Sequence, residues 1–105
     1  MPVTTIGGRE IHVDDEGFLT EYDEWDEDLA PALARNIGID ALTEEHWRAI
    51  KFLREDFRET GATPTLRRVS TVGGIPTKDL FKLFPKKPAK KMAYIAGLPK
   101  PHGCV

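Results

Sequence analysis

Apolar residues near the start of the chain come in short alternations around glycine, and from Leu29 onward they recur at spacings of three and four. Ile6, Ile11 and Val13 flank Gly7-Gly8, so Val3 to Val13 is predicted to be a β-hairpin, because paired glycines supply the positive φ angles a two-residue turn demands. Asp14-Asp15-Glu16-Gly17 predicts a second turn, and Phe18-Leu19 is the next apolar pair. An acidic stretch from Glu21 to Asp28 surrounds Tyr22 and Trp25, which are expected to anchor that loop. A helix is predicted over about Leu29 to Asn36, with Asp28 as cap, Pro31 tolerated in the first turn and Gly38 as terminator. The clearest helix runs from a Thr43 cap to Gly61, with Glu44 and Glu45 placed favourably against its dipole. Its stripe of Trp47, Ile50, Leu53 and Phe57 reads as core. Thr63-Pro64 predicts the cap and first residue of a short helix carrying Leu66 and Val69 to Gly73-Gly74. Pro76 opens another, with Leu80, Phe81 and Phe84 up to Pro85, and Pro88 opens the last, with Met92, Tyr94 and Ile95, closed by Gly97.

The composition fits one ordinary globular core: 105 residues, 40% hydrophobic and 30% charged. No apolar run approaches the roughly 20 residues of a membrane span, and Met1-Pro2-Val3-Thr4 has no basic region leading into an apolar one, so a cytoplasmic location is expected. The near-neutral total hides a segregation of sign. Residues 1–60 hold 16 of the 17 acids and 6 of the 15 bases, net −10, whereas residues 61–105 are net +8. Such asymmetry can steer partners at low salt. Lys86, Lys87, Lys90 and Lys91 are then either part of a steering surface or the solvated face of a helix.

Cys104 is the only cysteine, which excludes an intramolecular disulfide and leaves no second sulfur ligand for a structural zinc. His12, His46 and His102 are too scattered for a metal site, His12 and His46 reading as structural or solvent-facing, and no cofactor is expected. The thiol stands next to last, after a segment from Gly97 in which Pro99 and Pro101 limit φ and bias their predecessors away from helix. This segment is expected to be an extended, semi-stiff and mobile arm that docks at a smaller entropic cost than a Gly/Ser tail. A different class of function is suggested by Thr63 to Phe84, two short helices joined at a glycine turn, which have the form of a DNA-reading helix-turn-helix with Arg67, Arg68, Lys78 and Lys82 as its cations. The acidic total and the paucity of base-reading side chains on the second helix count against direct nucleic-acid binding.

The ending Ile95-Ala96-Gly97-Leu98-Pro99-Lys100-Pro101-His102-Gly103-Cys104-Val105 resembles the DsrC/TusE family of sulfur-relay proteins, also described as the gamma subunit of dissimilatory sulfite reductase. Leu42-Thr43-Glu44-Glu45-His46-Trp47 with Phe52-Leu53-Arg54-Glu55 is a second strong piece, and Asp15-Glu16-Gly17-Phe18-Leu19, Leu83-Phe84-Pro85 and Pro88-Ala89-Lys90 support it. The resemblance implies a mainly α fold: a small helical bundle containing the helix-turn-helix-like pair, an N-terminal β-hairpin and a flexible C-terminal arm. The domain division it suggests is 1–96 for the body and 97–105 for the arm.

It further implies that Cys104 carries sulfur as a persulfide, which makes the protein a sulfurtransferase component more than a stand-alone enzyme. Its partners would be a protein sulfur donor and acceptor, either relay proteins with a tRNA-thiolating enzyme or, alternatively, dissimilatory sulfite reductase or a sulfur-oxidation complex. Reductase-linked members bear a second cysteine eleven positions earlier, where this chain has Ala93, and a longer segment where this chain has Val72-Gly73-Gly74-Ile75-Pro76. Both departures point to the single-cysteine, TusE-like branch. Pro99, Lys100, Pro101, Gly103 and Val105 are the expected partner-binding residues of the arm. An unperturbed thiol is only a few per cent ionised at pH 7, given a pKa of about 8.5. Lys100 and His102 would favour the thiolate while the α-carboxylate of Val105 opposes it, and His102, two residues away on an extended strand, is either an auxiliary base or a tolerated surface residue.

Overall fold

The computed structural model describes residues 3–99. Strands β1 (Val3–Ile6) and β2 (Arg9–His12) pair antiparallel, with Val3 opposite His12 and Ile6 opposite Arg9. Gly7 and Gly8 turn the hairpin at φ 60° and 79°, as a two-residue connection requires. A Cβ on Gly7 would lie 2.9 Å from that of Ala32, so the turn packs on the first helix more closely than any other residue allows. The Asp14 carboxylate holds the next turn by accepting the backbone N–H groups of Glu16 and Phe18.

After a short 3-10 turn at Tyr22–Glu24, five α-helices follow among the described residues: α1 (Leu29–Asn36), α2 (Glu44–Thr60), α3 (Leu66–Thr71), α4 (Thr77–Leu83) and α5 (Pro88–Ile95). The mainly helical domain with its N-terminal hairpin is the architecture expected from the sequence. Among the described residues no helix is long and apolar enough to cross a membrane. The hairpin and α1 share one apolar cluster, including Ile6, Ile11, Leu19, Leu29 and Leu33. The larger core joins Ile50 and Leu53 of α2 to Val69, Leu80, Phe84, Met92 and Ile95. Trp25 and Tyr94 pack against both clusters and fuse them.

Helix α2 starts and stops where expected. Thr43 Oγ1 accepts the N–H of His46, His46 Nδ1 accepts the N–H of Thr43 at 3.0 Å, and Gly61 ends the helix at φ 77°. With Nδ1 an acceptor, His46 Nε2 carries the proton and donates it to the carbonyl of Leu83 at 2.8 Å, tying α2 to α4. His46 is therefore a structural residue.

Four local expectations are corrected. Asp28 makes no side-chain cap on α1; Asp26 accepts the N–H groups of Leu29 and Asp28 instead, because Arg9 holds its carboxylate in place at 2.8 Å. Helix α3 is capped by Thr65 and not Thr63, and Pro64 precedes it. Pro76 occupies the cap position of α4, so the helix itself begins at Thr77. Phe81 is 47% exposed, since α4 turns only Leu80 fully inward and the buried Phe84 follows its end.

Candidate functional site

The expected arm begins at Gly97, and its start is anchored by side chains from distant parts of the chain. A helix leaves its last carbonyls without internal partners. At the end of α5 these are supplied from distant parts of the chain. Trp25 donates its indole N–H to the carbonyl of Ile95 at 2.8 Å, and Arg54 donates through Nη1 to the carbonyl of Ala96 at 2.6 Å. The Arg54 guanidinium also lies 4.0 Å above the Trp25 ring and reaches the carbonyl of Tyr22 at 3.4 Å. A cation at a helix C-terminus is favoured by the dipole as well as by the hydrogen bond. Burial lowers the Arg54 pKa, and Arg58 lowers it further, while Asp23 opposes both. A guanidinium stays charged through such a shift.

Gly97 then takes φ 70°, and a Cβ there would stand 2.6 Å from Cδ1 of Trp25. Leu98 turns back into the core at 1% exposure, its N–H donating to the carbonyl of Ala93. Thr63 donates its hydroxyl to the carbonyl of Pro99 at 2.8 Å. The anchored body thus extends at least to Pro99. Ala93, where the family resemblance implies a second cysteine in other members, is fully buried on α5.

Of the residues singled out from sequence, Pro99 is half-buried with its carbonyl held by Thr63. Lys100, Pro101, His102, Gly103, Cys104 and Val105 lie outside the described residues. Their span from Pro99 to Val105 is at most about 20 Å of extended chain. Tyr22 and Trp25 are anchors as expected: the Tyr22 ring stands edge-on to Phe57 at 5.2 Å, and Trp25 holds the end of α5. Arg54 and Thr63 were missed as parts of this site. Arg54 was visible only inside the string shared with relatives, and Thr63 offered a local signal that read as a helix cap. Of the four cations assigned to the helix-turn-helix pair, Arg68 is engaged by the buried Asp56 through two bonds of 2.8 Å.

Comparison with known proteins places this construction in context. Residues 5–105 match the protein family described as "DsrC like protein". The chain is 41% identical to the sulfurtransferase TusE of Salmonella paratyphi A, over 93% of this chain and 95% of that one. It is 34% identical to the gamma subunit of the dissimilatory-type sulfite reductase of Nitratidesulfovibrio vulgaris, over the whole of both. The fold is similar to a chain in the crystal structure of dissimilatory sulfite reductase I, with a TM-score of 0.84 at 34% identity, covering 99% of this chain and 100% of the other.

Proposed function

The chain belongs to the DsrC/TusE family of sulfur-relay proteins, and from that premise we propose that it is a cytoplasmic persulfide carrier with Cys104 as the working thiol. The observation that carries this reading is the position of the sole cysteine, next to last, five residues beyond a Pro99 whose carbonyl is tied to the body. In the loading step the Cys104 thiolate attacks the outer sulfur of a donor persulfide. The donor S–S bond breaks, the donor leaves as a thiolate, and a new S–S bond forms on Cys104 with the outer sulfur keeping its proton. Delivery repeats the exchange, with the acceptor as nucleophile and Cys104 as leaving group. No redox partner is needed, because the sulfane sulfur moves without a net change in oxidation state.

The acceptor in this reading is a tRNA-thiolating system, in line with the TusE relatives. Lys100 and the residues Pro99, Pro101, Gly103 and Val105 would contact the partner, with His102 as an auxiliary. A second reading is supported by the match to a sulfite-reductase gamma subunit along the whole chain. With Ala93 in place of a second cysteine, the protein would serve such a reductase by carrying one sulfur, never by closing an intramolecular trisulfide. Incubation with a persulfide donor is expected to add one sulfur atom by intact-mass spectrometry, removed again by a thiol reductant. An adduct that survives Cys104→Ser, or no adduct at all, defeats the proposal. Transfer of labelled sulfur to a tRNA-thiolating enzyme, compared with transfer to a dissimilatory sulfite reductase, separates the two readings.

A further inference from the structure

Lys86, Lys87, Lys90 and Lys91 rim a cleft of about 520 Å³ floored by Phe18, Ile37 and Tyr94. Phe18 is buried, and Tyr94 stands edge-on to it with ring centroids 6.0 Å apart. The Tyr94 hydroxyl accepts from Asn36 at 2.7 Å, which fixes the ring. Glu16 is the one carboxylate lining the cleft. Among the described residues, no ion pair or side-chain hydrogen bond engages any of the four lysines.

Folding does not account for this cluster. Lys87 is the cap residue of α5, Lys90 and Lys91 lie in or just beyond its first turn, and that turn holds no acid. The positive end of the helix dipole disfavours cations there. Lys86 takes φ 76°, the left-handed region that residues with a Cβ seldom adopt. Positive charge is thus concentrated where local stability would favour acidic residues or glycine.

We propose that this cleft is the docking site for an acidic segment of a partner protein that carries a large apolar side chain. An apolar floor within a charged rim is the anatomy of a protein interface: the anchor fills the floor and the acidic flanks meet the lysines. An extended polyanion such as RNA would pair with the lysines but leave the floor uncovered. Tyr94 precedes Pro99 by five residues, so the two lie within about 17 Å along any path, and the five residues from Pro99 to Cys104 reach about 17 Å when extended. A partner seated in the cleft therefore stands within range of the thiol. This deepens the relay reading, on which it rests for the reason that a partner comes at all.

The test uses the isotope-labelled full chain and a short synthetic peptide of Glu and Asp interrupted by one Phe and one Leu. Titration is expected to shift the backbone amides of Phe18, Ile37, Tyr94 and the lysine segment, and added salt is expected to weaken the effect. Lys87→Glu with Lys90→Glu should weaken binding about tenfold or more. Because both substitutions place an acid at the start of α5, thermal stability should hold or rise. A peptide that moves none of these amides at millimolar concentration overturns the proposal. So does equal binding by a peptide with Ser in place of Phe and Leu, or an oligouridine that shifts the same amides at lower concentration. None of these measurements involves Cys104, so loss of docking with intact persulfide loading refutes this inference alone.

Discussion

Arg54 ends α5, covers Trp25 and keeps its charge in a half-buried site, so it is the residue on which the root of the thiol segment most depends. Replacing it leaves the carbonyl of Ala96 without its donor and the face of Trp25 uncovered. A hydrogen bond from a charged donor is worth about 1.5–3 kcal/mol, and the cation–π contact adds to it. Arg54→Ala is therefore expected to lower unfolding stability by about 2–3 kcal/mol, read from the denaturant midpoint by tryptophan fluorescence. Arg54→Lys should recover only part, because an ammonium is a point charge and cannot bond forward and stack flat together. A full recovery would mean that charge alone matters. Gly97 belongs to the same construction, since its left-handed φ and the 2.6 Å approach to Trp25 leave no room for a side chain.

The start of α3 shows how two neighbouring threonines divide their work between elements. Thr65 accepts the N–H of Arg68 and caps the helix, while Thr63 reaches across to the carbonyl of Pro99. Thr65→Ala is expected to cost about 1 kcal/mol, as the loss of a cap does elsewhere. Thr63→Val should cost a similar amount, about 0.5–1.5 kcal/mol, through the lost tie to Pro99. The two are told apart by a chain ending at Leu98. There Thr63→Val should have no further effect, and the difference in the double-mutant cycle measures the tie. Thr65→Ala should act equally in both lengths. The threonine–proline pair at 63–64 is a helix-start signal by composition, yet the helix begins two residues later. Thr63 lies far from Pro99 in sequence, so no local pattern distinguishes the two roles.

Across the molecule, acid acts on the carboxylate contacts that tie β2 to the segment before α1. The backbone N–H and then the ring of His12 hold Glu24 below its ordinary value of 4.5, and the Arg9 guanidinium chiefly holds Asp26 below 3.8. A carboxylate depressed by folding stabilises the native state above its unfolded pKa and loses that contribution as pH falls through the folded one. The urea midpoint is expected to be flat near neutrality and to drop as pH falls below about 4.5, with Glu24→Gln showing a shallower decline. An equally steep decline in the variant would assign the acid sensitivity to other groups. Features that depend on near neighbours are legible in the residues alone: the Gly7-Gly8 hairpin, α2 from its Thr43 cap to Gly61, and the lone thiol of Cys104. Each rests on turn angles, caps or periodicity, which act over a few residues. Packing between distant elements decided that Asp26 and not Asp28 caps α1, because Arg9 on another element orients it. It also decided that Trp25, Arg54 and Thr63 hold the root of the thiol segment across 70, 42 and 36 positions. Hydrogen bonds over such separations form only after the cores pack, and nothing in the neighbouring residues announces them.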